Sequence, residues 1–190
     1  TVTDYVIGRA PAFDVSGGFR LSRRVGIGIG STYMRQSRVS TDTTTNVPHP
    51  FYFDRPRSVS GPASTDRSEL GFHFQAVGVI PSGTRTTIMV FGGPSVFRVN
   101  QGLVTGVTTT EGAYPFRSVA FERARLANPN VTAWGFNVGV DVSVFFTDGV
   151  GVGGLVRFAR ATADMPSADG DAIRIEPGGL HVGGGVRFRF

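Results

Sequence analysis

The chain has 190 residues and a formal net charge of +5, and every one of its 19 basic residues is arginine. With no cysteine, disulfides and thiolate metal sites are excluded. No apolar run approaches the ~18 residues of a membrane-spanning helix, and the arginines are scattered rather than clustered, which argues against a nucleic-acid partner. The length suits one domain over residues 1–190.

A period of two, the signature of extended strands, runs through the chain. It predicts seven strands at 3–22, 24–39, 68–81, 85–103, 131–147, 149–163 and 179–190, and no helix. In the first, Phe13, Val15, Phe19 and Leu21 alternate with Asp14, Ser16 and Arg20. In the second, Val25, Ile27, Ile29 and Tyr33 oppose Gly26, Gly28, Gly30 and Thr32. The third sets Leu70, Phe72, Phe74, Ala76, Gly78 and Ile80 against Glu69, Gly71, His73, Gln75, Val77 and Val79. The fourth is apolar on both faces, with Pro94 marking a bulge. The fifth carries Trp134, Phe136, Val138, Val140, Val142, Val144 and Phe146 on one face, and Gly135, Asn137, Gly139, Asp141, Ser143 and Phe145 on the other. The sixth is glycine-rich on one face, and the seventh alternates Leu180, Val182, Gly184, Val186, Phe188 and Phe190 with His181, Gly183, Gly185, Arg187 and Arg189.

The connections near 22–24, 81–84 and 147–149 are tight turns. The others, 40–67, 104–130 and 164–178, are long, polar loops. Tight turns at one rim and long loops at the other describe an antiparallel up-and-down barrel.

Which solvent meets the apolar face decides between two barrels. A soluble, lipocalin-like barrel turns it inward; a transmembrane barrel turns it to lipid. Glycine crowds the other face, which suits a narrow lumen better than a wetted surface. The lumen then holds a mixed-sign polar network: Asp14, Arg20, Glu69, His73, Asp141, Arg157, His181, Arg187 and Arg189. The apolar stripe from Phe136 to Phe146 spans about 25 Å on strands tilted ~40°. Trp134 and Phe136 at one end and Phe146 at the other read as aromatic girdles. The expected fold is therefore all-β, a transmembrane barrel of about eight strands, seven of them read here.

The last strand resembles the ending of small outer-membrane β-barrels of Gram-negative bacteria, the OmpA/OmpX-like eight-stranded family. Gly185, Phe188 and Phe190 match the family's C-terminal insertion signal, although Gly183 stands where a polar residue is common. The resemblance implies residence in the outer membrane and contact with its lipid and lipopolysaccharide. It also implies recognition by barrel-assembly machinery and contacts with other envelope proteins through the loops. Even strand numbers are the rule, so one strand is missing. It is expected before Thr1; a hairpin within 1–21 and a partner that closes the seam are the alternatives.

No catalytic or metal-binding grouping is legible, and no cofactor is expected. The glycines at 149–154 and 183–185 lack the helix that a dinucleotide loop requires. Phe51, Tyr52 and Phe53 form an aromatic loop segment suited either to partner contact or to packing on neighbouring loops or the lipid interface. Arg55, Arg57, Arg117, Arg123 and Arg125 in the loops either meet lipopolysaccharide phosphates or form a solvated surface. The expected function is a non-enzymatic structural or interaction protein that displays its loops. A narrow pore and a lipid-modifying enzyme are the alternatives.

Overall fold

Alternating sequences bury one face of each strand only if strands pair side by side, and here they do so in chain order. The computed structural model describes residues 2–5, 8–52, 54–166 and 172–190. Its strands are β1 (Val2–Tyr5), β2 (Ala12–Arg20), β3 (Val25–Val47), β4 (Arg57–Ser82), β5 (Thr86–Gln101), β6 (Leu103–Glu111), β7 (Val119–Ala127), β8 (Asn130–Phe145), β9 (Val150–Pro166), β10 (Ala172–Ile175) and β11 (Gly178–Phe188). Every pairing is antiparallel, and the described residues contain no helix.

β1 and β2 pair with successive stretches of β3, at Thr41–Thr44 and Gly26–Met34, and so act as one interrupted strand. β10 and β11 do the same along β9. The main sheet therefore has seven strand positions in meander order, as the alternation predicts. The sheet curls strongly. Arg157 of β9 forms an ion pair with Asp14 of β2, five positions away. The backbone N–H of Gly178 at the start of β11 donates to Glu69 of β4 at 2.8 Å. Among the described residues the outer edges of β2 and β11 are unpaired, leaving a seam.

The tight turns form as expected. Leu21 and Ser22 N–H groups donate to Val25 O, and Ser22 Oγ accepts from Arg24 and Val25 N–H. Gly83 supplies the left-handed conformation (φ 83°) of the β4–β5 turn. Thr147 Oγ1 accepts from Val150 N–H at 3.0 Å to close the β8–β9 turn.

The three long connections differ from expectation. The 40–67 stretch is largely strand, because β3 runs on to Val47 and β4 starts at Arg57. The 104–130 stretch is mostly the β6–β7 hairpin, a separate two-stranded sheet. In 164–178, β9 extends to Pro166 and β10 follows from Ala172. The physical reason is shared: threonine- and valine-rich runs pair as strands without an apolar stripe when a neighbour supplies the ladder. Pro94 makes no bulge. The register of β5 against β4 is the same on either side of it, and Pro94 pairs in register with Phe136.

Candidate functional site

The inner face on the tight-turn side holds a polar network set among buried Val79, Phe91, Phe145 and Leu155. His73 and Ser95 are completely enclosed. His73 Nδ1 lies 2.9 Å from Ser95 Oγ, and Nε2 lies 3.0 Å from Thr32 Oγ1. Asn137 donates to Ser95 Oγ at 2.9 Å and accepts from Gln75 at 3.1 Å. Ion pairs flank this chain of hydrogen bonds. Arg157, 1% exposed, reaches Asp14 and lies over the Phe91 ring at 5.4 Å. Arg187 Nε donates to Asp141 at 3.0 Å, and Ser143 donates to the same carboxylate. Arg67 donates to Gln101 at 2.7 Å and to Glu69 at 3.3 Å, while the other Glu69 oxygen accepts from Gly178. Buried charges persist only when paired and hydrogen-bonded, and these are. The Ser95–His73 pair has no carboxylate on the ring, both ring nitrogens face hydroxyls, and neither side chain meets solvent.

Towards the long-connection rim an apolar cluster lies beside buried Thr41, Thr43, Thr65, Arg67 and Gln101. Phe97, Val99, Leu103, Ala133, Ala159, Ala161, Met165 and Ile175 form one buried cluster, with Phe97 and Met165 at 0% exposure. Packed side chains thus fill the space beyond the polar layer.

The outer face carries an apolar band. On β3 it runs from Val25 to Tyr33, on β4 from Leu70 to Ile80, on β5 from Ile88 to Val96, and on β9 from Val150 to Phe158. At ~3.3 Å per residue and ~40° tilt, these lengths correspond to about 20–25 Å. The band's edges shift together. Phe158 pairs through Val138, Gly92 and Ala76 to Ile27, whereas the band's upper edge on β3 is Tyr33, six residues further along. At the lower edge Val25 pairs through Gly78, Val90 and Val140 to Val156, whereas the edge on β9 is Val150, again six residues away. The band steps with the register from strand to strand, as a belt around tilted strands does. Arginine stands two residues above the belt on three strands: Arg35 after Tyr33, Arg98 after Val96, and Arg160 after Phe158.

Above the belt two hairpins meet. Phe121 of β7 lies flat on Gly61 of β4, where a Cβ would fall 2.3 Å from the ring. Arg57 clamps the tips together. It donates to Glu111 at 2.5 and 2.7 Å, to Phe116 O at 2.7 Å and to Pro48 O at 2.8 Å. The hydrogen bond from Arg57 holds the Glu111 carboxyl below the usual glutamate range, and Glu111 in turn raises the Arg57 pKa. Around the clamp, Phe51 and Phe116 stand 5.7 Å apart, Tyr114 and Phe116 6.0 Å, and His49 and Tyr52 5.1 Å. Tyr114, Phe51 and Tyr52 are exposed.

The sequence-predicted residues are distributed across these layers. Asp14, Glu69, His73, Asp141, Arg157 and Arg187 join the inner network as pairs or chains. His181 lies half-buried beside it, opposite Arg157 in register. Arg189 stacks on Phe145 at 4.5 Å at the tight-turn rim. Arg20 sits on the inner face of β2 but is exposed and forms no ion pair among the described residues, because β2 is an edge strand. Trp134, Phe136 and Phe146 point outward at the belt's two edges. Gly185 lies on the inner face of β11 and Phe188 on the outer, and Phe190 is exposed beyond the end of the strand. Phe51 and Tyr52 contribute to the aromatic tip, and Phe53 lies outside the described residues. Arg67, Ser95 and Glu111 escaped the sequence reading, and the alternation places Thr32 and Asn137 on the non-apolar face without partners. Arg57, expected to meet lipopolysaccharide phosphate or solvent, instead pairs with Glu111. Arg57, Arg67 and Glu111 belong to stretches taken for loop, and the partners need cross-strand register to be found. The described residues hold no cluster of three or more metal-ligating side chains. No known family profile matches the chain, and no curated protein sequence is similar to it.

Proposed function

We propose that this chain is an integral outer-membrane β-barrel of the OmpA/OmpX-like kind, a structural and interaction protein that holds two external hairpins above the bilayer. The observation that carries this reading is the apolar belt on the outer face. An exposed belt of that extent is unfavourable in water, and its estimated height is close to the ~25 Å of a barrel's lipid-facing band. Arginines just above it would sit at headgroup level.

Strand direction supports a closed barrel of eight. β2 and β11 occupy positions one and seven of an antiparallel meander, so their free edges run parallel to each other. One further strand, antiparallel to both, would close the seam. An open seam inside lipid would leave backbone groups unsatisfied at several kcal/mol each. The packed lumen favours an anchor over a conduit, and the aromatic tip of Phe51, Tyr52, Tyr114 and Phe116 is the surface such an anchor would display.

The test is reconstitution. Protein refolded in detergent should enter phospholipid vesicles, float with them in a density gradient and give no steady conductance in a planar bilayer. A monodisperse, stably folded species in plain buffer that fails to float would contradict the proposal.

A further inference from the structure

We infer that the outer wall just above the belt holds a binding site for a phosphate-bearing lipid headgroup. The inference rests on the membrane reading and names a ligand for one part of that surface. A groove of about 420 Å³ opens where β3, β4 and β5 leave the belt and the end of β7 leans over them. Tyr33, Arg35, Asp66, Ser68, Asn100 and Leu126 are among its lining residues. The register explains how they come together. Arg35, Ser68 and Asn100 share one rung of the sheet, and Tyr33, Leu70 and Arg98 share the rung one outward pair below. The lower rung is the upper edge of the apolar belt on β3 and β4, so the floor of the groove is continuous with the surface assigned to acyl chains.

The chemistry is divided in the way such a lipid requires. The Tyr33 ring lines the groove and, with Leu70 beside it on the same rung, offers apolar contact below. Ser68 and Asn100 offer hydrogen-bonding groups at the level of a glycerol or sugar. Arg35 lines the groove and Arg98 stands outside its lining, on a diagonal position two strands away; both carry guanidinium groups, which match phosphate oxygens bidentately. Arg35 is only loosely engaged. Its contact with Asp66 is 3.8 Å, with both side chains about 60% exposed, the kind of surface pair that contributes little. A phosphate can therefore compete for it. Arg98 is exposed and forms no ion pair among the described residues. Trp134, the chain's single tryptophan, is exposed on the same face, and its partner Val96 is the outward residue next below Arg98. It can report occupancy.

The experiment uses the full chain in non-ionic detergent, with binding read by native mass spectrometry and Trp134 emission. Three probes separate the sources: dioctanoyl phosphatidic acid, dioctanoylglycerol and inorganic phosphate. Saturable binding of phosphatidic acid is expected, at least tenfold tighter than either of the other two. Arg35→Gln combined with Arg98→Gln should weaken it at least tenfold while leaving the folded, heat-modifiable band intact. Asp66→Asn, which removes the competing carboxylate, should tighten it. Equal binding of dioctanoylglycerol, equal binding of inorganic phosphate, or wild-type affinity in the double variant would each overturn the inference. If the double variant still inserts into vesicles, such a failure falls on the headgroup site alone. Failure of the wild type to insert falls on the membrane reading.

Discussion

The two halves of β4 are built in opposite senses. From Leu70 to Ile80 the outward residues are mostly apolar, and the inward ones are Gly71, His73, Gln75, Val77 and Val79. From Ser58 to Ser68 the outward residues are Ser58, Ser60, Pro62, Ser64, Asp66 and Ser68, and the inward ones include Val59 and Ala63. One 26-residue strand thus passes from an inside-out arrangement to an ordinary one without a break. The ladder with β3 continues into the upper half past a register shift between Gln36 and Val39, opposite Arg67 and Thr65, where the two halves join. What changes is the outer face, apolar below and polar above. On the membrane reading proposed above, the lower half would set its apolar face against lipid, around an interior that mixes paired polar groups with Val79, Phe91 and Leu155. The upper half buries Val39, Val59 and Ala63 together with Thr41, Thr43, Thr65 and Arg67, behind an outer face suited to water.

That contrast separates the halves experimentally. The largest effect is expected in the buried apolar cluster that begins where the two halves meet. Phe97→Ala should cost about 3–5 kcal/mol, measured by denaturant unfolding of the reconstituted protein, and a cost below ~1 kcal/mol would argue that the upper lumen is not packed. In the lower half the sensitive positions face outward. Val140, mid-belt on β8, should lose about 2–4 kcal/mol on substitution by arginine in lipid vesicles, and a neutral result would place Val140 in water.

A smaller effect concerns the hairpin clamp above both halves. The folded pKa of Glu111 lies below its ordinary value of 4.5. Its contribution is therefore complete above that value and is lost as pH falls through the lower, folded value. Protease nicking at residues 112–118 should rise on acidification below about pH 4.5 in the wild type. Glu111→Gln, which lacks the titrating group, should show little of that rise. An identical pH dependence in both proteins would assign it to another group.

The sequence disclosed the lower half far better than the upper. Ile27, Phe74, Val140 and Val156 recur at a period of two because one face must differ from the other, and that contrast is visible in one dimension. In the upper part of β3 the inward Thr41 and Thr43 and the outward Asp42 and Thr44 are all polar, so nothing alternates and the stretch reads as loop. The β6–β7 hairpin had a usable signal, two Thr/Val/Ala-rich runs around Gly112 and Pro115, but its faces were not clearly amphipathic. The inner network was half legible. The charges on the lumen face were identifiable from alternation, but the partners were not, because Asp14–Arg157 and Ser95–His73 are joined only by sheet curl and register.

The most direct test is a cysteine scan along the outer face of β4, made straightforward by the absence of native cysteine. Single cysteines at Ser60, Ser64, Ser68, Phe72, Phe74 and Ala76 would be treated with a membrane-impermeant maleimide in sealed vesicles. Urea-unfolded samples would give the full labelling level. The account predicts labelling at the three serine positions and protection at the three belt positions, with the change falling between Ser68 and Phe72. Uniform labelling along the whole strand would contradict it, since the apolar face would then meet water and the protein would be a soluble barrel.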